Sequence, residues 1–361
     1  MLESLAVSFC LNPQCDRPHN PDQGNFCLNC GAPLLLRGHY RAIRPLGRGG
    51  FARTYLGIDR DRLDTPCAIK QFLPSAKTPA GRDKAIELFT REALRLRDLG
   101  DNPQIPALLG FFEEGGYLYL VQEYIAGETI DRELQRSGPF SEAKLLAFLR
   151  DLLPVLQFVH DRSTIHRDLK PLNLIRRQRD QRIVPIDFGV AKVLEANTQS
   201  RPGTKIGTAG YAPDEQLRGG QAYPASDLYS VGAICVFLLT GVEPEELYNP
   251  LTGQWPWREQ LAQWRDELSG NGDSLDASQR KHLPVSDSVS EGLGLVLDRL
   301  LQPAVADRYQ SALEVLADLD NIIRTMPPSP YRREESMAVD RDRAKRFWLT
   351  RIGTSSGGNF S

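Results

Sequence analysis

Residues 166–173 read HRDLKPLN: a histidine, two cations, a carboxylate and a carboxamide within eight residues, separated only by two leucines and a proline. Fourteen residues beyond Asn173 the chain reads DFG, starting at Asp187. Bulk properties account for neither stretch. The 361 residues are 41% hydrophobic and 25% charged, the composition of an ordinary globular protein. With 44 basic and 46 acidic residues the formal net charge is −2, which removes any global attraction to nucleic acid or an anionic membrane. Local sites must therefore carry the function. The opening MLESLAVSFC places an acid where a signal peptide would be basic, and no later run is long enough for a membrane span. The expected location is cytoplasmic.

Working outward from the polar knot, two textures flank it. Residues 40–72 alternate apolar and polar positions between Gly and Asp turns, which predicts strands at 40–48, 51–59 and 65–72, the first two meeting at GRGGFA. Ile86, Leu88, Phe89, Ala93, Leu96 and Leu99 recur at helical spacing over 82–99, and strands follow at 107–113 and 117–123. After EYIAGE the pattern turns helical, at 141–162, 225–240, 254–268, 289–301 and 310–323. A strand-rich lobe followed by a helical lobe gives an α+β protein with a cleft between the two. The expected boundaries are a module at 1–36, a bilobal domain at 38–324 dividing after residue 125, and a tail at 325–361. In that tail TMPPSP reads as a linker, and DRDRAKRFWLTR with SSGGNF as a mobile end, with a docking helix as the alternative for DRDRAKRFWLTR.

Four of the six cysteines, Cys10, Cys15, Cys27 and Cys30, form C-x4-C-x11-C-x2-C. In a reducing compartment this spacing favours a metal over disulfides, and Zn2+ is the leading candidate, because a Cys-x-x-Cys turn followed by Gly31 presents two thiolates to one ion. His19 is a spare donor. A redox-sensing dithiol, or four unconnected thiols, stays open as the alternative. A segment of some thirty residues cannot build an adequate core, so a metal would also explain how it folds. Cys67 and Cys235 sit in apolar runs and read as packing residues.

Several stretches now fall into one order: GRGGFA from Gly47, CAIK ending at Lys70, Glu92 on the first helix, HRDLKPLN, IDFG, GTAGYAPDEQ from Gly207, and SDLYSVG with Asp227. Over about residues 38–324 the sequence resembles the eukaryotic-like (Hanks-type) protein kinases, and the four-cysteine head joined to it resembles a group of bacterial, especially cyanobacterial, serine/threonine kinases. The resemblance implies the bilobal protein kinase fold preceded by a zinc-ribbon-like module. It also implies ATP with Mg2+ (or Mn2+) as cofactors and protein substrates with Ser or Thr acceptors. Phosphoryl transfer needs cations around a spread negative charge and a nucleophile held in line. Asp168 would hold the incoming hydroxyl, Lys170 would point a charge at the γ-phosphate, and Asn173 and Asp187 would share the magnesium ion. His166 would brace the loop.

On the small lobe, Gly47, Arg48, Gly49, Gly50, Phe51 and Ala52 would bring backbone N–H groups to the phosphates, with Ala52 standing where relatives carry a third glycine. Lys70 would hold the α and β phosphates and be steadied by Glu92, with Glu87 as the competing carboxylate. Ala68 would pack on adenine, the backbone of Glu123 to Ile125 would bond its edge, Gln122 would stand behind it, and Glu128 would reach the ribose. Lys170 and Thr208 match the serine/threonine branch. Arg167 would pair with a phosphate on the activation segment, where Thr198, Ser200 and Thr204 lie and Thr204 is first choice. Pro213, Asp214 and Glu215 replace the usual Ala-Pro-Glu; Glu215 would still pair with Arg308, and Asp227 would accept backbone hydrogen bonds from the catalytic loop. The head would serve regulation, dimerisation or partner binding. A pseudokinase scaffold recognised through its metal module is the competing reading.

Overall fold

The computed structural model describes residues 7–22, 24–48, 52–73, 79–188, 210–250, 252–270 and 289–325. Strands β3 (Leu35–Leu36), β4 (Tyr40–Arg48), β5 (Ala52–Asp59), β6 (Thr65–Phe72), β7 (Leu108–Glu114) and β8 (Tyr117–Glu123) form one antiparallel sheet in the order β3-β4-β5-β6-β8-β7. The helix α1 (Pro79–Leu99) lies between β6 and β7 in the chain. Strand β6, TPCAIKQF, is buried from Cys67 to Phe72. A strand apolar on both faces is covered on both faces, and here the two coverings differ. On one face Cys67 and Ile69 join Tyr40, Tyr55, Phe112, Tyr119 and Val121 in a cluster closed by Leu11 and Leu36. On the other, Phe72 and Leu120 meet Phe89, Ala93, Leu96 and Leu99 of α1, and then Val155, Val159 and Phe188.

The segment preceding β3 supplies the first of these covers. Strands β1 (Val7–Phe9) and β2 (His19–Pro21) pair antiparallel, and Phe9 leans on Tyr55 with ring centroids 5.4 Å apart. Arg41 of β4 is 2% exposed and donates from Nη1 to Ser8 Oγ at 2.5 Å and to the carbonyls of Asp22 at 2.6 Å and Gly24 at 2.9 Å.

The helical part opens with a three-stranded sheet, β9 (Gly127–Thr129), β10 (Leu174–Arg177) and β11 (Ile183–Pro185), in the order β11-β10-β9. Helices α2 (Ile130–Ser137), α3 (Glu142–Asp161), α4 (Asp214–Gly219), α5 (Pro224–Thr240), α6 (Pro244–Leu247), α7 (Trp257–Gly270), α8 (Glu291–Leu300) and α9 (Ala312–Thr325) follow the chain. Ser141 caps α3 by accepting from the Lys144 N–H, which satisfies one of the donors a helix start leaves open. Every residue of α5 from Ala225 to Thr240 is buried, as expected for a helix apolar all round. Gly232 lets α8 come close: a Cβ there would lie 2.9 Å from Leu300 Cβ.

The α+β, two-lobed reading holds, and the strands at 40–48, 65–72 and 117–123 coincide with β4, β6 and β8. The helix expected from 254 begins at Trp257 instead, because Asn249 and Gln254 form a bridge and Pro256 restrains the residue before it. Chain beyond Thr325, with the linker and tail expectations, lies outside the described residues. Replacing Gly232 with Val should cost about 1–3 kcal/mol by overpacking against Leu300 and Leu301, visible as a lower Tm in thermal unfolding; an unchanged Tm would contradict this packing.

Candidate functional site

Strand alternation aims Lys70 away from the outer cluster and toward α1. There Nζ pairs with Glu92 Oε1 and lies 2.5 Å from Asp187 Oδ1. Lys70 is 5% exposed, so an unpaired charge at this depth would be costly. Burial pulls its pKa down, but the two carboxylates outweigh burial and hold it above the ordinary lysine value. Burial likewise raises the carboxyl of Glu92, whereas Lys70 overcomes burial at Asp187 and holds that group below the usual range. Asp187 has φ 59°, a left-handed conformation rare outside glycine and common at functional positions. Its neighbour Phe188 is fully buried and packs at a tilt against His166, ring centroids 4.7 Å apart. Burial lowers the His166 pKa and so favours the neutral ring. Glu87, the competing partner for Lys70, pairs with Arg91 on the surface of α1.

HRDLKPLN itself forms a loop ending in one turn of 3-10 helix, Pro171–Asn173. Lys170 Nζ lies 3.0 Å from Asp168 Oδ2. Asn173 Nδ2 donates to the Asp168 carbonyl at 2.8 Å and to its Oδ2 at 2.9 Å, which turns Asn173 Oδ1 away as a neutral oxygen donor. The loop is held from beneath. Asp227 accepts from the backbone N–H of His166 at 2.8 Å and of Arg167 at 2.9 Å, and pairs with His160 Nε2 at 2.8 Å. Gln216 of α4 donates to the Arg167 carbonyl at 2.7 Å. Arg308, 1% exposed, grips Glu215 through Nη1 at 2.7 Å and Nη2 at 3.2 Å, and Ser226 adds a 2.7 Å bond to the same carboxylate.

Sequence reasoning missed His160, Gln216 and Arg95. Arg95 on α1 has its pKa lowered by burial and by the nearby charges of Arg167 and Arg91. Its Nη1 and the Nε of Arg167 are buried without a hydrogen-bond partner among the described residues. Only the helical repeat from Glu92 to Arg95 and Leu96, placing Arg95 toward the lobe junction, could have signalled this.

At the other end of the cleft, Ala68 pairs with Gln122 and Cys67 with Glu123 across β6 and β8. Ala68, Gln122 and Ile125 are buried, and the Glu123 N–H is taken by the Ala107 carbonyl at 2.8 Å. Glu128 carries a partner the sequence did not reveal: Arg136 holds both its oxygens, at 2.9–3.2 Å, and draws its carboxyl below the usual range. A ribose hydroxyl would share Glu128 with Arg136. Gly47 and Arg48 end β4 and Ala52 starts β5, with Arg48 opposite Arg53. Gly49, Gly50, Phe51, Thr198, Ser200, Thr204 and Thr208 lie outside the described residues.

The four head cysteines converge. Their sulfurs all lie within 4.8 Å of one another, at 3.6 Å for Cys10 to Cys30 and 3.7 Å for Cys15 to Cys27, so the group could hold one metal ion. These are not disulfides, which close to about 2.05 Å. The edge of a tetrahedron with metal–sulfur bonds of about 2.3 Å is roughly 3.8 Å. Gly31, with φ 73°, donates to the Cys27 carbonyl at 2.9 Å and closes the turn. Asn20 and Asn29 direct Nδ2 at the sulfurs of Cys27 and Cys15, each at 3.5 Å. Against the pull of burial, backbone N–H groups near Cys30 and Asn29 bring the Cys27 thiol down to about 6, while burial pushes Cys10 up. His19 stacks edge-on against Phe9 at 5.2 Å.

A cleft between a β-sheet lobe and a helical lobe, lined by a paired lysine and a braced polar loop, defines a bilobal kinase-type fold. The family model described as protein kinase domain matches residues 40–318, and the chain belongs to that family. Similar proteins include serine/threonine-protein kinase B of a Synechocystis species, 38% identical over 341 residues covering 90% of this chain and 55% of that protein. Serine/threonine-protein kinase PknA of a Nostoc species is 35% identical over 311 residues, covering 84% of this chain and 50% of its own length. The chain thus spans about half the length of these relatives. The crystal structure of the kinase domain of Mycobacterium tuberculosis PknI shares the fold, with a TM-score of 0.53 and 21% identity over 80% of this chain and 98% of that one. Among the described residues no helix is long and apolar enough to cross a membrane.

Asp227 supplies the pH test of the braced loop. Burial raises its pKa, but the hydrogen bond and charge of His160 with the backbone N–H groups hold it below the ordinary carboxylate value. A depressed folded pKa means that the stabilisation is complete above the unfolded value of about 4 and is lost as pH falls through the folded one. Asp227→Asn should lose roughly 1.5–3 kcal/mol for each charge-assisted bond removed at pH 7. In urea unfolding its deficit against wild type should narrow below about pH 4; a constant deficit would contradict an ionised, hydrogen-bonded Asp227.

Proposed function

We propose that the protein transfers the γ-phosphoryl group of ATP to Ser or Thr hydroxyls of proteins, including its own activation segment. The observation that carries this reading is the convergence of Lys70, Glu92 and Asp187 opposite the Asp168, Lys170 and Asn173 loop. Lys70, fixed by Glu92, draws in the α and β phosphates. The buried Ala68 would pack on adenine, whose edge would bond the backbone between Glu123 and Ile125, with Gln122 behind. The glycines of the GRGGFA stretch would bring backbone N–H groups to the phosphates. Asp168 accepts the hydrogen of the acceptor hydroxyl and holds its oxygen in line, and Lys170 sets a positive charge beside the transferring group. Asn173 and Asp187 would hold Mg2+ or Mn2+, an oxygen donor set suited to a hard cation, and the ion when bound offsets triphosphate charge. Lys170 and Thr208 support Ser/Thr over Tyr as acceptor.

Activation follows from charge. Arg167 and Arg95 each bury an unbonded nitrogen and their charges repel, so a phosphate on Thr204 would offer both a partner and fix the segment. The boundaries 1–36, 38–324 and 325–361 serve as functional units, the head regulating or joining partners. The sulfur tetrahedron supports Zn2+ in the head, and exposed Phe26 and Leu28 beside Cys27 support partner binding or dimerisation there. A cytoplasmic location goes with this reading of the head, since a reducing compartment keeps thiols available as metal ligands.

Incubation with labelled ATP, Mg2+ and a protein acceptor tests the reaction. Asp168→Asn should cut transfer by about 10²–10⁴-fold while nucleotide still binds; equal labelling by both proteins would favour a scaffold. Thr204→Ala should slow the onset of activity and leave a steady low rate. An unchanged lag and rate would remove Thr204 from the mechanism.

A further inference from the structure

Strand β6 places two consecutive side chains on opposite faces, and each is committed. Lys70 faces the cleft and its carboxylates. Gln71, fully buried, faces the head: its Nε2 donates to the Leu11 carbonyl at 2.8 Å and to Tyr119 Oη at 3.1 Å. Leu11 directly follows Cys10, one corner of the sulfur cluster. Arg41 makes a second attachment, with one guanidinium nitrogen holding Ser8, Asp22 and Gly24 together.

The dependence runs in both directions. The head's own apolar cluster is Cys10, Cys27 and Leu34, backed by Cys15 and Ala32. Three of those five are ligand-type cysteines, so without an ion little remains to order the segment. The sheet in turn relies on the head, because Leu11 and Leu36 close the cluster that buries Cys67, Ile69 and Val121. If the head loosens, the Gln71 amide loses its Leu11 acceptor in a buried setting, where an unmade hydrogen bond is unfavourable. Strand β6 then carries Lys70 with it, and a lysine paired at contact distance to two carboxylates tolerates little displacement.

We propose that metal occupancy of the four-cysteine site is coupled to nucleotide binding, with Gln71 as the positioning residue that ties the strand of Lys70 to the metal-bearing loop. The inference rests on the Zn2+ and ATP readings above. Coupling is reciprocal, so bound nucleotide also tightens the hold on the metal.

The test uses the full chain under reductant. Zinc content is measured by elemental analysis, then removed with a chelator that leaves Mg2+ in place. Affinity for a fluorescent ATP analogue with Mg2+ is titrated before removal, after it, and after Zn2+ is restored. Hydrogen exchange of β5, β6 and β8 amides is followed in parallel. Removal should weaken the analogue about tenfold, within the usual range of coupling, and raise exchange in those strands; restoring Zn2+ should reverse both. Gln71→Leu should keep its zinc, bind the analogue more weakly, and respond less to the chelator than wild type, the remainder passing through Arg41, Leu11 and Leu36. A wild-type chain that loses zinc with unchanged affinity and exchange overturns the coupling and leaves the zinc reading intact. A chain that holds no zinc overturns both. A Gln71→Leu protein that responds as wild type removes Gln71 as the link, and should that variant not fold, the wild-type titration decides alone.

Discussion

A buried cation between two carboxylates from separate elements organises this molecule. Lys70 comes from the sheet, Glu92 from α1 and Asp187 from the segment after β11, so the pairing is satisfied only when all three stand in register. The triad carries one more negative charge than positive when ionised, and burial already raises Glu92. A polyanionic ligand is therefore admissible only with further cations, which Lys170 and a hard metal ion would supply. The apolar packing is arranged to the same end. Phe188, next to Asp187, shares one cluster with Leu96 of α1 and Val159 of α3, so the helix position and the left-handed Asp187 backbone are held by a common core.

Charge and support are divided between the two faces of the HRDLKPLN loop. Asp168, Lys170 and Asn173 interact among themselves, whereas its backbone is tied to Asp227 and Gln216, and the Glu215 and Arg308 pair lies below. The loop's rigidity thus comes through peptide groups and neighbours rather than through these three side chains. The positive φ of Arg167, 69°, is where this bracing bends the chain.

The parts of this plan that were legible in the sequence have either fixed spacing or sustained period. HRDLKPLN with DFG carried reactive groups at set intervals, and α3 and α5 carried long apolar patterns. Short elements gave no such signal: β9 to β11 and α4 span three to six residues, too few for a period to emerge. Long-range polar partners were equally hidden. Nothing local in Arg136, Gln216 or His160 announces Glu128, Arg167 or Asp227 as its partner. Arg41 and Gln71 fall in the stretch that the sequence shows only as alternating apolar and polar, so their burial under a second cover, with Cys67 and Ile69 on one face of β6 and Ala68 and Phe72 on the other, emerges only in the fold.

That doubly covered sheet has a practical meaning for where the molecule ends. The family pattern starts at Tyr40, but Tyr40, Tyr55, Ile69 and Tyr119 are shielded by residues that come before it. A chain trimmed to the conventional boundary would bare a contiguous aromatic and aliphatic surface, with Arg41 stripped of its carbonyl acceptors beside it. Such a patch promotes self-association. In this protein the recognisable domain is therefore smaller than the unit that can stand alone in water.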